Sequence, residues 1–454
     1  MNSKFKKIIL LCGDTAILYL SLYLTLFIRY RELPDYEIWQ KHFGIFTLVF
    51  VIWIIIFYIS DLYNLLLAVN NSKFYTLTFR SILISGLFSA TFFYLNPKIG
   101  IAPKTNLVIY LFIFMLLFVL WRRIFNWLLG SYLPKNKIIF IGFNGQVKGL
   151  INTFKTNPHL GYKIFAIIHH KPIEAAGIPV ITDVSQIKKI IQKQKITTVV
   201  LASDPHQSSQ LRAALFDCLP LKINIINLPN FYELITGKVP LEAISEMWFL
   251  ENLSEGNKTW FDFAKRVYDI IFALLLFAIT FPFWLIIMVI IKLESKGPAF
   301  FLKAGSVRMG KNNKIFKVIK FRTMREEGND RRLTKANDAR ITKFGSFLRK
   351  TRLDELPQVI NILKGELSFV GPRPERPEFI AELEEVVPFY RERMLVKPGL
   401  SGWDQVSGEY HSPSQADTLK KLQYDLFYIK NRSIYLDLSI ILKTIATVIK
   451  GGGV

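Results

Sequence analysis

The chain has 454 residues, 51% of them hydrophobic, and a formal net charge of +23. This length is too great for one ordinary domain, and the positive mean hydropathy of +0.28 is high for a wholly soluble protein. The only two cysteines, Cys12 and Cys218, exclude a disulfide framework and a CxxC metal or redox pair. We therefore predict an integral membrane protein with soluble parts.

Four apolar blocks precede residue 125, at about 8–28, 44–62, 77–95 and 106–121. Each is long enough, or nearly so, to cross a hydrocarbon core that needs roughly 20 helical residues. The first block lacks a small-residue cleavage signature, so we interpret it as a retained anchor. Lysines precede the first block, and Trp121, Arg122 and Arg123 close the fourth. We expect four transmembrane helices over residues 1–125, with both ends in the cytoplasm.

Residues 126–250 contain short β-branched runs that alternate with polar helical stretches. The runs are KIIFIG, YKIFAIIHH, TTVVLAS and KINIINL. This alternation predicts a Rossmann-like α/β domain around a parallel sheet. The first run ends in a glycine turn at Gly142, but the spacing is not GxGxxG, and the second run ends in His169 and His170 instead of an acid. Cofactor binding and a degenerate module that spaces, regulates or oligomerises both stay open, and a homodimer is a reasonable expectation.

Residues 268–291 form a further apolar segment, with Pro282 near its middle. A proline there removes a backbone donor and breaks or kinks a helix. Basic residues flank the segment at 265–266 and at 292–296, so both of its ends look cytoplasmic. We therefore predict a re-entrant helix, broken at Pro282, that enters one leaflet and returns, in preference to a spanning helix.

Residues 292–353 hold 18 Lys and Arg against 5 Asp and Glu. Adhesion to anionic lipid or to nucleic acid is one explanation, and the membrane segments and the lack of interleaved aromatic residues disfavour nucleic acid. The spaced cations Lys320, Arg322, Arg340 and Arg349 also suit a diphosphate, because arginine offers a planar fork for bidentate phosphate contacts. Membrane adhesion and substrate binding can coexist.

Asp354 and Glu355 follow this basic stretch, just before Pro357, a residue favoured in the first turn of a helix. At a helix N-terminus the dipole and the free amides favour an ionised carboxylate and a bound phosphate. Of two neighbouring carboxylates, one can attack phosphorus while the other holds a divalent metal. Oxygen ligands of this kind suit Mg²⁺. The alternative is a surface acid pair that forms salt bridges with Arg349 and Arg352.

The C-terminal sequence contains KRVYDIIFALLL, DARITKFGSFLRKTRLDELPQVINILKGELSFVGPRPE and KPGLSGWDQVSG, in this order. With these stretches residues 259–454 resemble the bacterial sugar transferase family, the monotopic phosphoglycosyl transferases. The layout of the whole chain resembles the long polyprenyl-phosphate hexose-1-phosphate transferases. The resemblance implies an α-rich catalytic domain over residues 259–454, with a re-entrant membrane helix at 268–291 that breaks at Pro282.

The resemblance also implies a reaction. Asp354 would attack the β-phosphate of a UDP-sugar and release UMP, and undecaprenyl phosphate would then take the sugar phosphate from the aspartate. Glu355 would be the Mg²⁺-linked partner. The candidate phosphate or substrate contacts are Lys320, Arg322, Arg340, Arg349, Gln358 and Arg373. The product would start an exopolysaccharide, capsule or O-antigen repeat unit at the bacterial inner membrane, with the middle and catalytic domains in the cytoplasm.

Two other classes of function stay in play. A membrane-bound nucleotide-sugar dehydratase or epimerase shares the order of four helices and a Rossmann-like unit, but the missing ribose acid and the absence of a TyrxxxLys dyad disfavour it. In a non-enzymatic scaffold of polysaccharide assembly, the acid pair would be structural. The sequence does not select the sugar, because that specificity depends on a few polar contacts.

Overall fold

The computed structural model describes residues 3–63, 65, 70–96, 103–131, 136–175, 177–204, 208–253, 258–301, 304–325, 338–407 and 414–449. The chain forms two compact units, Met1–Phe231 and Tyr232–Val454. The first unit contains four long apolar helices and a parallel sheet, and the second contains a fifth apolar helix and an α-rich domain.

The N-terminal helices are α1 Ser3–Tyr30, α2 Tyr36–Ile59, α3 Ser72–Leu95 and α4 Pro103–Ser131. By length and composition all four could cross a membrane, and they confirm the four predicted apolar blocks. Asp35 and Asn71 start α2 and α3, because each side chain accepts a backbone N–H of the first turn. Aromatic rings fill the centre of the bundle, where Trp53 contacts Phe114 edge to face at 5.1 Å between centroids.

A buried ion pair joins α1 to α4. Arg122 Nη2 lies 2.5 Å from Asp14 Oδ2, and both side chains are fully enclosed. Arg122 Nη1 also donates to the Leu62 carbonyl at 2.7 Å, and Trp121 Nε1 donates to Asp14 at 3.0 Å. Arg122 therefore stabilises the bundle from inside and is not one of the surface charges that determine orientation.

The α/β domain of the first unit has five parallel strands: β1 Asn136–Ile141, β2 Tyr162–Ile168, β3 Val180–Ile181, β4 Thr198–Leu201 and β5 Asn224–Asn227. Their order is β3-β2-β1-β4-β5, with every pairing parallel. The connecting helices are α5 Gly145–Thr156, α6 Ile187–Gln194 and α7 Ser209–Phe216. All four predicted β-branched runs form strands of this sheet, as the alternation with helices requires.

Gly142, at the end of β1, has a φ of +94°. A Cβ at this position would lie 2.8 Å from the Ser203 backbone nitrogen, so the neighbouring strand leaves no room for a side chain. Packing alone thus accounts for the glycine, and cofactor binding at this turn stays a prediction.

The second unit begins within α8 Leu228–Thr236 and continues through α9 Glu246–Asn252 and α10 Thr259–Glu294. Short strands follow: β6 Phe300–Phe301, β7 Val307–Met309, β8 Ile315–Lys317 and β9 Lys320–Phe321. The remaining elements are α11 Lys343–Lys350, α12 Val359–Lys364, β10 Ser368–Val370, α13 Pro377–Val386, β11 Gly399–Ser401, α14 Trp403–Val406, α15 Gln415–Asn431 and α16 Ile434–Ile449. These short elements pack on α10 and on each other.

The predicted break of the helix at Pro282 is not present. α10 runs as one helix through this residue. Helices in apolar surroundings tolerate proline where neighbouring groups satisfy the freed backbone. Thr280 Oγ1 donates to the Leu276 carbonyl at 2.7 Å in the preceding turn. A re-entrant path through a membrane stays a prediction.

Both halves of α10 contact the same unit. In the N-terminal half, Asp269 accepts hydrogen bonds from Ser368 Oγ at 3.1 Å and from the Phe369 amide at 3.2 Å. In the C-terminal half, the Trp284 ring lies 5.6 Å from the Phe321 ring. The side chains between them, from 278 to 283, are mostly exposed. The helix is therefore held near both ends and left open around its proline.

A buried polar cluster fixes the N-terminal half of α10. The Asp437 carboxylate of α16 accepts hydrogen bonds from Lys265 and Tyr268 of α10. Tyr428 of α15 donates to the other oxygen of Asp437 at 2.8 Å. Because Asp437 is fully enclosed, these donors compensate the charge that folding removes from water.

Candidate active site

The predicted acid pair lies in a tight turn between two short helices. α11 ends at Lys350, and Arg352 adopts a left-handed conformation with φ of 58°. A 3-10 helix then covers Leu353–Gln358, and α12 begins at Val359. Asp354 and Glu355 lie in the first turn of the 3-10 helix. The sequence predicts the two acids at or near the start of a helix, and in the structure this helix is a 3-10 helix.

α11 is held against the segment that follows β9. Thr342 caps the helix by accepting the Gly345 amide at 2.9 Å. A Cβ on Gly345 would lie 2.1 Å from the Thr323 carbonyl oxygen, so only glycine permits this approach. Thr323 Oγ1 in turn accepts a hydrogen bond from Arg349 Nε at 2.9 Å. This contact orients Arg349, on the last turn of α11, toward the acids.

The two acids are not a surface pair. Asp354 and Glu355 are each only 8% exposed. Buried carboxylates are rare in folded proteins unless a partner compensates their charge. The surface location in the alternative is therefore wrong, whereas the salt bridge that it predicted with Arg352 is present at Glu355.

One oxygen of Glu355 forms ion pairs with three basic side chains. Its Oε1 lies 2.8 Å from Lys320 Nζ, 3.2 Å from Arg373 Nη2 and 3.7 Å from Arg352 Nη1. Lysine has three donors and arginine has five, so these contacts leave donors for a further anion. We call Asp354, Glu355 and the surrounding Lys320, Arg349, Arg352 and Arg373 the acid-pair cluster.

Asp354 differs from its neighbour. Its carboxylate makes no hydrogen bond or ion pair with any residue that the structure describes. Burial raises the pKa of Asp354, Lys320 lowers it, and the charge of Glu355 raises it again, with a net upward shift. The pKa of Glu355 is well below its usual range because the charges of Arg373 and Lys320 outweigh the effect of burial. Adjacent carboxyl groups with pKa values moved in opposite directions are typical of a division of catalytic labour.

A second buried network holds the backbone of Arg373. The Arg373 carbonyl accepts a hydrogen bond from Arg393 Nη2 at 3.0 Å. Arg393 also pairs with Asp425 of α15 at 2.8 Å, and both side chains are buried. Burial raises the pKa of Asp425 to about 7 even though the charge of Arg393 lowers it. Together with Pro372 and Pro374, which restrict the backbone on either side, this network fixes the loop that directs Arg373 to Glu355.

Comparisons with known proteins agree with this site. The model of the family described as bacterial sugar transferase matches residues 260–451. A UDP-glucose:undecaprenyl-phosphate glucose-1-phosphate transferase of Xanthomonas campestris pv. campestris is 30% identical over 341 residues, which covers 72% of this chain and 69% of that protein. The chain belongs to the bacterial sugar transferase family.

Two further relatives show how far the similarity extends. A UDP-N-acetylgalactosamine-undecaprenyl-phosphate N-acetylgalactosaminephosphotransferase of Aeromonas hydrophila is 38% identical, and the match spans only 55% of its length and 52% of this chain. A UDP-glucose:undecaprenyl-phosphate glucose-1-phosphate transferase of Klebsiella pneumoniae is 29% identical over 93% of its length and 95% of this chain. A family model described as a CoA-binding domain matches residues 58–229. The layout of this sugar transferase is therefore that of the long type.

Arg322 does not lie among the phosphate contacts that the sequence predicted. Its guanidinium is buried and donates to the Ser295 carbonyl at 2.7 Å and to the Lys296 carbonyl at 2.9 Å. These carbonyls follow the end of α10, where backbone acceptors lack helical partners. Arg322 therefore caps the C-terminal end of α10.

We expect Arg322→Gln to lower the free energy of unfolding by about 2 kcal/mol, because charge-assisted hydrogen bonds to the carbonyls are lost. The KM for the sugar donor should stay within twofold of the original value. Denaturant unfolding and initial rates measure the two quantities, with Arg391→Gln as the control at an exposed pair. A raised KM for the sugar donor with an unchanged free energy of unfolding would instead support Arg322 as a substrate contact.

The other predicted contacts are partly brought together. Arg340 pairs with Asp338, with Nη2 and Oδ2 at 2.5 Å. Burial lowers the pKa of Arg349, and the charge of Arg340 lowers it further, which shows that the two guanidinium groups are near each other. Gln358 is buried at the residue before α12, and its side chain makes no hydrogen bond with the described residues.

Arg352 was missed as a functional candidate. From the sequence, Arg352 was expected only as a salt-bridge partner of a surface acid pair. Its left-handed backbone and its spacing of three residues from Glu355 bring the guanidinium to the carboxylate. The unusual conformation is not visible in the sequence, but the i,i+3 spacing is a signal that could have identified it.

The donor set fits Mg²⁺ only together with a substrate. Among the described residues no group of three or more His, Cys, Asp and Glu side chains could hold a metal ion. Mg²⁺ is commonly bound by one or two carboxylates plus substrate phosphates. The three cations approach Glu355 on Oε1, so its other oxygen and the carboxylate of Asp354 are the oxygens of the pair that are available to a metal ion.

Proposed function

We propose that this sugar transferase moves a sugar 1-phosphate from a UDP-sugar to undecaprenyl phosphate and releases UMP. The observation that carries the proposal is the asymmetry of the acid pair: three cations converge on Glu355, and Asp354 beside it is buried without a partner among the described residues. The named activities of the Xanthomonas, Aeromonas and Klebsiella relatives support the same reaction class. Such a product begins a repeat unit of an exopolysaccharide, a capsule or an O-antigen.

Asp354 acts as the nucleophile. One of its carboxylate oxygens attacks the β-phosphorus of the donor, and the bond from that phosphorus to the bridging oxygen breaks. The electron pair leaves with that oxygen, which becomes part of UMP. In the second step an oxygen of undecaprenyl phosphate attacks the same phosphorus, and the carboxylate of Asp354 is released with both oxygens intact. Division into two steps lets the soluble product leave before the lipid binds.

Glu355 and the cations position the donor. Glu355 stays ionised and holds Lys320, Arg352 and Arg373 around one point, so their remaining donors are preorganised for diphosphate oxygens. Arg349 lies close enough to Asp354 for its charge to lower the pKa of that carboxyl group. Mg²⁺ held by Glu355 and the diphosphate would neutralise further charge on the donor. The positive charges of these groups also offset the repulsion between the two anionic reactants, so that both can be held close together.

The decisive experiment separates the two steps. Purified protein is incubated with unlabelled UDP-sugar and labelled UMP in the absence of any lipid phosphate. A covalent sugar-phosphoryl aspartate predicts that label enters UDP-sugar, and repeating the assay with a panel of UDP-sugars identifies the sugar. Full turnover with lipid but no exchange without it would refute the covalent step.

The pH dependence of this exchange tests the environment of Asp354. The pKa of Asp354 is raised above 3.8, and activity needs the ionised form, so the rate should be present above that raised pKa and lost as the pH falls through it. Lys320 lowers the pKa of Asp354, so in Lys320→Met the fall of the exchange rate at low pH, the acid limb of the pH–rate profile, should move to higher pH. The control Lys343→Met, at an exposed position of α11, should leave the limb in place. A limb that stays or moves to lower pH in Lys320→Met contradicts the assignment.

We also propose that α10 is re-entrant, as a continuous helix that bends at Pro282 so that both of its ends lie on one side of the membrane, and that the catalytic domain faces the cytoplasm. Both halves of α10 contact the same compact unit, through Asp269 on one side and Trp284 on the other, and the exposed stretch around Pro282 lies between them. A helix that crossed a hydrocarbon core of about 30 Å would have its two ends on opposite sides of the membrane. The basic residues on both flanks favour the cytoplasmic side for both ends.

Cysteine labelling in intact cells tests this topology. Cys12 and Cys218 are first replaced by serine, and Thr259→Cys or Lys296→Cys is then introduced at an exposed flank of α10. Both positions should resist a membrane-impermeant maleimide from outside and react after permeabilisation. External labelling of one flank only would show a spanning helix.

A further inference from the structure

A second concave site lies against the N-terminal half of α10. It encloses about 150 Å³ and is lined by parts of α10, by the end of α15 and by residues 396–397. No member of the acid-pair cluster lines it. Its basic side chains outnumber its acidic ones and are Lys265, Arg266, Lys311, Lys397 and Arg432. The site is thus separate in its lining from the one that carries the proposed chemistry.

Both acids of this pocket, Asp262 and Asp269, have contacts other than Arg266 and Lys397. Asp262 lies 3.4 Å from Arg432, and Asp269 accepts the hydroxyl of Ser368. Lys265 is paired with Asp437, which lies outside the pocket lining. These contacts leave Arg266 and Lys397 without a carboxylate in ion-pair contact among the described residues.

Two cations remain without a carboxylate partner among the described residues. Arg266 donates to the carbonyls of Ile362 at 2.6 Å and Leu363 at 2.7 Å, which do not neutralise its charge. Lys397 makes no hydrogen bond or ion pair with the described residues. Arg266 Nη2 and Lys397 Nζ both lie within 3.5 Å of the point where a Cβ on Gly365 would be. Two like charges are therefore held close together.

The surroundings of Lys397 disfavour its charge. Burial lowers the pKa of Lys397, and the charges of Arg266 and Lys311 lower it further, so that the pKa stays low although Asp269 and Asp262 raise it. An anion between these groups would replace this repulsion with attraction. The volume corresponds to about five water molecules, which suits the five heavy atoms of a phosphate group. Arginine with a lysine beside it is a common arrangement for binding phosphate.

The apolar side of α10 indicates what the phosphate is attached to. Trp260 and Phe263 are 74% and 70% exposed, and Val267 and Ile271 continue the exposed apolar surface along the same helix. Tryptophan beside basic residues is typical of the interface between lipid and water. The pocket and this surface lie on different faces of the same turns of α10, and they meet where Arg266 and Phe263, three residues apart, are neighbours on the helix. A ligand with its anionic head at Arg266 can therefore place apolar chains against the exposed surface.

We propose that this pocket binds the phosphate of an anionic membrane phospholipid between Arg266 and Lys397, with its acyl chains along the exposed surface of α10. The lipid would fix the depth of α10 at the membrane surface. This site goes beyond the proposed transfer reaction and rests only on the presence of the protein in a membrane.

Native mass spectrometry of the purified full chain in detergent tests the proposal. The protein is titrated with phosphatidylglycerol and with phosphatidylcholine of the same acyl chains. Phosphatidylglycerol should be retained in preference, and Lys397→Met should reduce its retention about fivefold, the effect expected of one cation near an anionic lipid. Lys397→Arg should restore retention, and Lys420→Met, at an exposed lysine of α15, should not change it.

Several outcomes would overturn the proposal. They are equal retention of phosphatidylglycerol by the original protein and Lys397→Met, no preference over phosphatidylcholine, displacement by inorganic phosphate, or displacement by polyprenyl phosphate at equal concentration. The third would indicate a site for soluble anions, and the fourth a site for the acceptor.

Thermal unfolding of Lys397→Met serves as the folding control, and no loss of stability is expected because the substitution removes no ion pair. If this variant does not fold, Lys311→Met tests the same pocket from another side. Labelled UMP exchange measures the transfer reaction independently, so a failure of either proposal can be distinguished.

Discussion

Asp354→Asn should reduce labelled UMP exchange and full turnover at least a thousandfold, with no loss of folding. The amide has nearly the shape of the carboxylate but cannot form the bond to phosphorus, so both half-reactions lose the group on which they depend. Stability should be unchanged or slightly increased, because the burial that raises the pKa of Asp354 penalises its charged form.

The measurement is an initial-rate assay of exchange and of sugar-phosphate transfer on protein purified from membranes. Asp417→Asn, at a partly buried acid in the first turn of α15 that pairs with Lys420 outside the acid-pair cluster, is the matched control and should retain full activity. Mass spectrometry of the original protein trapped with donor alone should show a sugar phosphate on the peptide that contains Asp354. Normal exchange by Asp354→Asn would eliminate it as the nucleophile.

Glu355→Gln should both destabilise the catalytic unit and slow catalysis. Removal of this charge leaves Lys320, Arg352 and Arg373 without their shared carboxylate. We expect a loss of about 2 kcal/mol in the free energy of unfolding, less than for a fully buried pair because the three cations are partly exposed. Exchange should fall at least a hundredfold, because the cations are no longer preorganised.

Chemical denaturation at several pH values provides the stability test. The pKa of Glu355 is depressed in the folded state, so its contribution is present above the unfolded value near 4.5 and is lost as the pH falls toward the folded value. The difference between the original protein and Glu355→Gln should therefore shrink in acid. Glu384→Gln, at an exposed pair with Arg391, should change stability by less than 0.5 kcal/mol at any pH. A difference independent of pH would show that the charge of Glu355 is not the cause.

The arrangement of Arg373 shows why sequence reasoning reaches some contacts and not others. Its position between two prolines identifies a rigid loop, and the family resemblance marks it as a phosphate contact. The residues that hold this loop, Arg393 and Asp425, come from a 3-10 helix and from α15, and their contact depends on packing between distant segments. No local spacing relates them, so only the tertiary structure reveals the network.

Arg322 and Arg349 illustrate the same limit from the opposite direction. Both are arginines in the basic stretch, and composition alone treats them alike. β9 ends at Phe321, just before Arg322, and the side chain of Arg322 turns to the carbonyls at the end of α10, whereas α11 carries Arg349 toward Asp354. The direction of each side chain depends on the element that carries it and on what packs behind that element.

The sequence by itself determined the four N-terminal helices, the parallel sheet and the identity of the acid pair. Those features follow from local patterns: hydrophobic length, alternation of β-branched runs with helices, and a contiguous motif. The tertiary structure decided which cations reach Glu355, that Asp354 is left without a partner among the described residues, and that α10 continues through Pro282. These depend on burial and on contacts between segments far apart in the chain, whose free energies no local pattern encodes.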